Sequence, residues 1–221
     1  MEFLQAIKSR YSCRAYLNKP VDEAVIRSVV EAAQKSPSWG NTQPWRVWVA
    51  GGETAVSIRQ ENVRLAEDGA PTGPEIPMPA ELQGLFKERY TQVGKSLFAL
   101  MGIGREDEEK RKAHFLNNYN AFGAPVLVYL TVPESYTHYA VMDIGAFMNA
   151  FCLAATDQGL ATCLQGALAR YPDVVREHLP IPADEKIVVG IALGYPDTDA
   201  RINTFQSSRE PLEKVLSFTG F

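Results

Sequence analysis

The N-terminal segment carries two guanidinium groups on either side of a hydroxyl. Arg10, Ser12 and Arg14 alternate with Tyr11 and Cys13. Arginine presents a planar fork of donors that matches phosphate oxygens, and serine adds a short neutral donor. If the segment curls as a helical turn, Arg10 and Arg14 fall on one face, where a bound anion would relieve their repulsion. Composition alone favours the other interpretation, a solvated basic turn, because basic clusters are common on protein surfaces.

A second polar group of residues, 36–45, reads Ser-Pro-Ser-Trp-Gly-Asn-Thr-Gln-Pro-Trp. Its two prolines restrict the backbone. Ser38 and Asn41 offer donors and acceptors that could bind the edge of a heteroaromatic ring, and Trp39 offers an apolar surface beside it. A rigid helix-to-strand loop without a ligand explains the same residues, and this segment by itself does not decide between the two.

Two shorter motifs are weaker. Gln165 and Gly166 follow a short predicted strand, where glycine would let the backbone approach a ligand. Arg209 lies beside Ser207 and Ser208, although a lone arginine of this kind is usually a surface residue. The sequence shows no convincing serine, cysteine or carboxylate catalytic set, and its three histidines and three cysteines lack metal-ligand spacing. Binding features without a nucleophile or a metal indicate that a cofactor carries the reactivity.

Composition limits the class of protein. The chain has 221 residues, within reach of one domain, with 46% hydrophobic and 22% charged residues, as in globular proteins. A net charge of −4 argues against a nucleic-acid partner, since phosphate backbones bind net basic faces. We see no signal peptide and no apolar run of about 18 residues, so we expect a cytoplasmic protein that does not contact a membrane. The cysteines are expected to be buried thiols in a reducing compartment.

Hydrophobic periodicity predicts the elements that position these motifs. Helices are predicted over 2–8, from Pro20-Val21-Asp22 to Pro37, and over 81–101, 106–119, 143–158 and 171–179. Strands are predicted over 45–50, 126–131, 161–164 and 186–193. The helix over 143–158 is apolar nearly all round, which indicates a central helix or one at a large dimer interface. The glycine- and proline-rich segment 68–79 is predicted to be a mobile loop, and the apolar end 209–221 to dock, for example on a partner subunit.

Together these motifs resemble the signature of the nitroreductase family of flavoproteins. The matching pattern is Arg10-x-Ser12-x-Arg14, Pro20-Val21 and Ala33-x-x-Ser36-Pro37-Ser38-x-x-Asn41-x-Gln43-Pro44-Trp45. Further along the chain it continues with Gly123-Ala124-Pro125, Gln165-Gly166, Ile191-x-x-Gly194-Tyr195-Pro196 and Arg209-x-Pro211-Leu212. The middle of the chain, with Gly102-Ile103-x-Arg105 and residues 117–125, is similar to the nitrobenzoate reductase branch.

The resemblance implies an α+β fold with a central, mostly antiparallel sheet of four to five strands flanked by helices. It implies an intertwined homodimer with two FMN molecules at the subunit interface and no metal. Residues 1–221 would form a single nitroreductase-like domain. Within it, residues 68–122 would be a variable excursion of helices and loops near the active site.

The resemblance also assigns roles to residues. Arg10, Tyr11, Ser12 and Arg14 would hold the FMN phosphate and the pyrimidine end of the ring, and Arg209 would reach the phosphate. Pro37, Ser38, Trp39 and Asn41 would come from the other subunit and border the isoalloxazine. Gln165 and Gly166 would lie near flavin N5, and Asn117 would bind the uracil-like edge. No residue is expected to be catalytic, because the flavin carries the chemistry. Ser207 stands where some members have lysine, which leaves the phosphate pocket one cation short.

The implied function is reduction of a small aromatic substrate by NADPH or NADH. Nitroaromatics, quinones or similar flat electrophiles would be reduced by ping-pong hydride transfer through flavin N5. One alternative is a flavoenzyme of the same fold with different chemistry, such as a dehalogenase, an oxidase or a flavin-processing enzyme. Another is a flavin-binding protein without turnover. The sequence identifies neither the natural acceptor nor the preferred nucleotide.

Overall fold

In the residues that the structure describes, four strands form one antiparallel sheet in the order β1-β2-β4-β3. The computed structural model describes residues 1–79 and 81–221. The strands are β1 (Arg46–Gly51), β2 (Val126–Pro133), β3 (Ala161–Gln165) and β4 (Glu185–Gly194). Strand β2 lies inside the sheet and is buried over nearly its whole length, as its continuous apolar run predicts. All four predicted strands are therefore confirmed.

Seven helices flank the sheet in the part of the chain that the structure describes. They are α1 (Phe3–Ser9), α2 (Glu23–Ala33), α3 (Gly52–Glu67), α4 (Gly84–Met101), α5 (Glu108–Tyr119), α6 (His138–Asp157) and α7 (Pro172–His178). Successive side chains of β2 point to opposite faces of the sheet, so the core has two layers. Leu127 and Tyr129 pack with α3 and α7, whereas Val128 and Leu130 pack with α2 and α6. This arrangement confirms the predicted α+β class.

Two helices differ from the sequence-based expectation. Helix α3 was not predicted, because its inward stripe contains Ala55, Ile58 and the polar Asn62, too weak a pattern to indicate a helix. Helix α6 begins at His138 rather than at residue 143, since its first turn is mostly exposed and lacks the apolar periodicity of the rest. Both differences arise where tertiary contacts on one side of a helix stabilise a locally weak sequence.

Helix α6 is long and apolar enough, by length and composition alone, to cross a membrane. Core helices of globular proteins have the same composition, and Ile144, Phe147 and Phe151 face the core here. Its opposite side is uncovered within the single chain, where Tyr139 and Met142 are exposed. The helix is thus buried on one side only, which leaves an apolar face for a second molecule.

The glycine- and proline-rich segment after α3 is anchored to the protein. The hydroxyl of Tyr171 donates to the carbonyl of Ala70 at 3.2 Å. The Glu75 carboxylate accepts from the Arg176 guanidinium at 2.8 Å and from the Ile187 backbone N–H at 2.7 Å. Glycine and proline content predicts a flexible backbone, but it does not predict contacts with residues more than 100 positions away in the chain.

The apolar side chains of the C-terminal end are not covered by their own chain. The exposed apolar side chains of this end are Leu212, Val215, Leu216, Phe218 and Phe221. Helix α1 exposes Phe3, Leu4 and Ile7 as well. The expected docking of residues 209–221 therefore remains a prediction about a second molecule.

The three cysteines are unpaired and buried, as predicted. Burial raises the pKa of the Cys163 thiol to about 11, so this thiol stays protonated at neutral pH. Within residues 1–79 and 81–221, no three histidine, cysteine, aspartate or glutamate residues are close enough to hold a metal ion.

Candidate active site

Cationic side chains from the two ends of the chain meet in one cavity of about 410 Å³. Its charged and hydroxyl-bearing lining residues are Lys8, Arg10, Ser12, Arg14, Ser207 and Arg209, with Tyr11 beside them. No aspartate or glutamate is among the residues that line it. The cavity therefore has the charge and the donors to bind a phosphate group.

The segment after α1 is extended, not the helical turn considered from the sequence. Ser12 forms a bridge with Thr162 of β3, and the Cys13 N–H donates to the Thr162 carbonyl at 2.9 Å. The Arg14 N–H donates to the Asn203 side chain at 2.7 Å. In an extended chain, alternate residues share a face, so Arg10 and Arg14 still reach the same cavity.

Ser207 positions Arg209. The Arg209 guanidinium donates through Nη1 to the Ser207 hydroxyl at 2.8 Å and to the carbonyl oxygens of Ser207 and Ser208 at 3.1 and 3.0 Å. Ser207 therefore supplies an acceptor that holds the Arg209 guanidinium in place. It does not add a cation, as a lysine at this position would.

A second cavity of about 890 Å³ adjoins the first and shares Arg14 and Val93 with it. Helices α4 and α5 and their connection supply most of its walls. Its aromatic and cationic lining residues include Tyr90, Lys95, Phe98, Arg105, Arg111 and His114. Burial, reinforced by the charge of Arg14, lowers the pKa of His114, so its imidazole is neutral at pH 7. This mixed lining suits a flat ligand with negative charge.

Gln165 carries a buried acceptor without a partner. Its side-chain amide donates to the Asn118 carbonyl at 2.9 Å, while its Oε1 has no hydrogen bond among the described residues. Leaving such a group unpaired costs about 1–3 kcal/mol, so a donor from a ligand is expected. Asn118 lines the second cavity, so Gln165 lies behind the wall of that cavity.

Gly166 lies against the anchored segment after α3. A Cβ added at Gly166 would lie 3.0 Å from Cε of Met78, tighter than ordinary contact. The segment therefore reaches the edge of the site, where glycine allows close approach.

Asn117 is not brought together with the other predicted site residues. Its side chain accepts from Asn120 at 3.2 Å and lines a separate groove between α3 and α5, whereas Asn118 faces the cavity of Arg14. Successive residues on a helix point about 100° apart, so an error of one position moves a side chain to another face. Asn117 was predicted from its distance before the strand that begins at Val126, and this distance is not accurate enough to distinguish Asn117 from Asn118.

The 36–45 loop is exposed over most of its length, with Trp45 buried in the core at its end, and it does not line the cavity of Arg10 in the same chain. Trp39 is 63% exposed and packs on Tyr139 with ring centroids 5.9 Å apart. Asn41 and Gln43 have positive φ angles of 56° and 47°, a strained backbone for non-glycine residues. With Pro37 and Ser38, the loop presents polar and aromatic groups outward.

Sequence and structure comparisons identify the family. The model of the nitroreductase family matches residues 7–195, so the chain belongs to the nitroreductase family. It is 30% identical to the 4-nitrobenzoate reductase of Pseudomonas putida, over 100% of this chain and 96% of that protein. It is 31% identical to the nitrobenzene nitroreductase of Ectopseudomonas oleovorans, over 96% and 94%. The FMN and NADPH-dependent nitroreductase NfnB from Sphigopyxis sp. strain HMH superposes with a TM-score of 0.93 at 32% identity, covering both chains fully. The resemblance and the predicted fold are confirmed.

Proposed function

We propose that this protein is an FMN-dependent oxidoreductase that uses NADPH or NADH to reduce nitroaromatic and similar flat electrophilic compounds. The observation that carries the proposal is that two cavities lie side by side, with Arg14 in the wall of both. One is a cationic pocket without carboxylates, and the other is larger, with aromatic and basic walls. The names of full-length relatives support the same activity.

The residues present fit FMN. The phosphate carries about two negative charges, which Arg10, Arg14 and Arg209 would offset, with Lys8 nearby. The resemblance implied a place near N5 for Gln165, but N5 of the oxidised flavin has no hydrogen to donate. We therefore propose that the unpaired Gln165 Oε1 accepts instead from the N–H of the flavin's pyrimidine ring. A second cavity of about 890 Å³ is large enough for a planar cofactor.

The proposed roles of the residues follow these cavities. Arg10, Tyr11, Ser12, Arg14 and Arg209 hold the phosphate end. Gln165, Asn118 and the backbone of Gly166 meet the ring edge, with Asn118 taking the role that the sequence suggested for Asn117. When bound, FMN would accept hydride from the nucleotide and deliver it to the acceptor. The side chains orient both partners and exclude water, and none acts as a nucleophile.

Each turnover is a two-electron reduction. One NAD(P)H and one proton convert an aromatic nitro group to a nitroso group, with release of water and the oxidised nucleotide. The reaction is ping-pong, because the nucleotide and the acceptor occupy the same place in turn.

We propose that the working unit is a homodimer. Pro37, Trp39 and Asn41 are exposed and Ser38 is half-buried, which is explained if this part of the loop borders the flavin of a second subunit. The uncovered faces of α1, α6 and the C-terminal end supply the apolar area that such an interface needs. Sedimentation of the FMN-loaded protein should give a dimer, and an FMN-saturated monomer would refute this arrangement.

We also propose a single domain over residues 1–221 and a cytoplasmic location. The continuous sheet and the 68–122 excursion, which reaches the site through Met78 and the second cavity, support the first. The three unpaired thiols support the second, since such thiols persist in reducing compartments.

Spectroscopy tests the function directly. The purified protein should be yellow or should become so with added FMN, and NADPH or NADH should bleach the flavin band under anaerobic conditions. An added nitroaromatic should then restore the band. A protein that does not bind FMN contradicts the proposal, and a flavin that neither nucleotide reduces would favour an oxidase of the same fold.

The identity of the acceptor is left open by sequence similarity. Relatives of nearly equal identity are named for an anionic acceptor, 4-nitrobenzoate, and for an uncharged one, nitrobenzene. Any preference must therefore come from the cavity of this chain.

A further inference from the structure

We propose that three side chains of the second cavity, Lys95, Arg105 and Arg111, form a subsite for the carboxylate of an aromatic acceptor. We call these three residues the cationic rim. The inference rests on the proposed function and deepens it. It assigns the anionic aromatic acids, and not the uncharged nitroaromatics, as preferred acceptors.

The charge of this cavity is one-sided. Within the described part of the chain, the side chains of the cationic rim form no ion pair, and no aspartate or glutamate lines the cavity. The whole chain nevertheless has a net charge of −4. Positive charge that is concentrated in a cavity of an acidic protein attracts anions to that place.

The cationic rim is not needed for the FMN phosphate. That group has its own cations in the first cavity, namely Lys8, Arg10, Arg14 and Arg209. Of these four cations, only Arg14 also lines the second cavity. With the phosphate neutralised there, the three charges of the rim remain available to a substrate.

The walls suit an aromatic acid in particular. The Arg111 guanidinium lies 4.3 Å from the centre of the Phe98 ring, which holds its fork in a defined orientation. His114 packs edge-on against Phe98 with centroids 5.3 Å apart and is neutral, so it adds apolar surface and no charge. A flat ring can lie along these aromatic groups while its carboxylate meets the rim.

The experiment compares two acceptors of nearly equal shape, 4-nitrobenzoate and 4-nitrobenzamide, which differ in charge. In the FMN-loaded protein at saturating NADPH, we expect a higher kcat/KM for the benzoate, by a ratio that falls as salt is added. Each of Lys95→Gln, Arg105→Gln and Arg111→Gln should lower that ratio by about three- to tenfold, mainly through KM. The kcat/KM for the uncharged amide should fall less than that for the benzoate in each variant, because the amide has no carboxylate for the rim to bind.

A matched control comes from helix α5 itself. Lys112 is exposed and lies 3.8 Å from Glu67, on the side away from the cavity. Lys112→Gln removes one positive charge from the same helix as Arg111→Gln and should leave the ratio unchanged. If the rim variants lower kcat/KM equally for the benzoate and the amide, the proposal is wrong. A rise in the KM for NADPH without a rise in the KM for NADH would also overturn it, because the rim would then bind the nucleotide's 2′-phosphate.

A binding measurement decides the question even if the protein proves to have no reductase activity. Calorimetric titration of the FMN-supplemented protein with benzoate and benzamide involves no turnover. Tighter binding of benzoate, lost in the rim variants, supports the subsite independently of the proposed function. Equal affinity for the two compounds contradicts it.

Discussion

The backbone N–H of Trp39 donates to both carboxylate oxygens of Asp143, at 3.1 and 3.2 Å. Asp143 lies in the first half of α6 and is only 5% exposed. A buried carboxylate thus fastens the strained 36–45 loop to the core helix. This loop is the one that we propose to border the flavin of the other subunit, so the contact links the fold's interior to the dimer site.

Replacement of Asp143 should loosen the loop. Asp143→Ala leaves the Trp39 N–H without its acceptor, and we expect a loss of about 2 kcal/mol in the free energy of unfolding and faster release of FMN. Asp143→Asn keeps an acceptor oxygen and should retain most of the stability and most of the FMN retention. Denaturant unfolding and flavin fluorescence measure the two effects. Wild-type FMN retention in Asp143→Ala would show that this contact does not position the loop for the cofactor.

Gln165 should matter more with FMN bound than without it. Gln165→Leu removes the acceptor that has no partner in the protein, so we expect FMN affinity to fall about tenfold, corresponding to roughly 1.4 kcal/mol. The variant also loses the hydrogen bond to Asn118, which lowers the stability of the apoprotein. The informative quantity is therefore the increase in Tm on adding FMN. If the variant and the wild type show the same increase, Oε1 does not bind the cofactor.

The phosphate pocket should discriminate FMN from riboflavin. Arg209→Ala removes a charged donor worth about 1.5–3 kcal/mol, so the Kd for FMN should rise tenfold or more. Ser207→Ala should have a smaller effect in the same direction, because Ser207 only orients Arg209. Riboflavin lacks the phosphate and is the control ligand. Equal weakening of FMN and riboflavin in Arg209→Ala would contradict the assignment.

Acid should destabilise the protein through His114. Burial lowers the pKa of its imidazole below the ordinary value of 6.5, so on acidification the unfolded chain takes up the proton first. The unfolded state then binds more protons than the native state, and stability falls as the pH drops below 6.5. His114→Gln should flatten the part of the Tm–pH curve below pH 6.5. An unchanged slope in the variant would assign the acid sensitivity to other groups.

The apolar and turn patterns were sufficient to predict most of the fold. The run 126–131 predicted a buried strand, because a strand covered on both faces has no polar side. Helix α3 was missed because a single inward stripe with Asn62 in it resembles a surface segment. The ion pair between Glu75 and Arg176 could not be predicted either, because the two residues lie far apart in the chain and meet only in the folded protein.

The site divides in the same way. Residue types and local spacing singled out Arg10 with Arg14 and Gln165 with Gly166 as candidates, and the resemblance to the family added Arg209. The tertiary structure decided that the three arginines line one cavity, that Asn118 and not Asn117 faces the second cavity, and that a cationic rim lies there. The physical reason is that helix phase and the packing of distant segments set the direction of each side chain, and neither is encoded in a local motif.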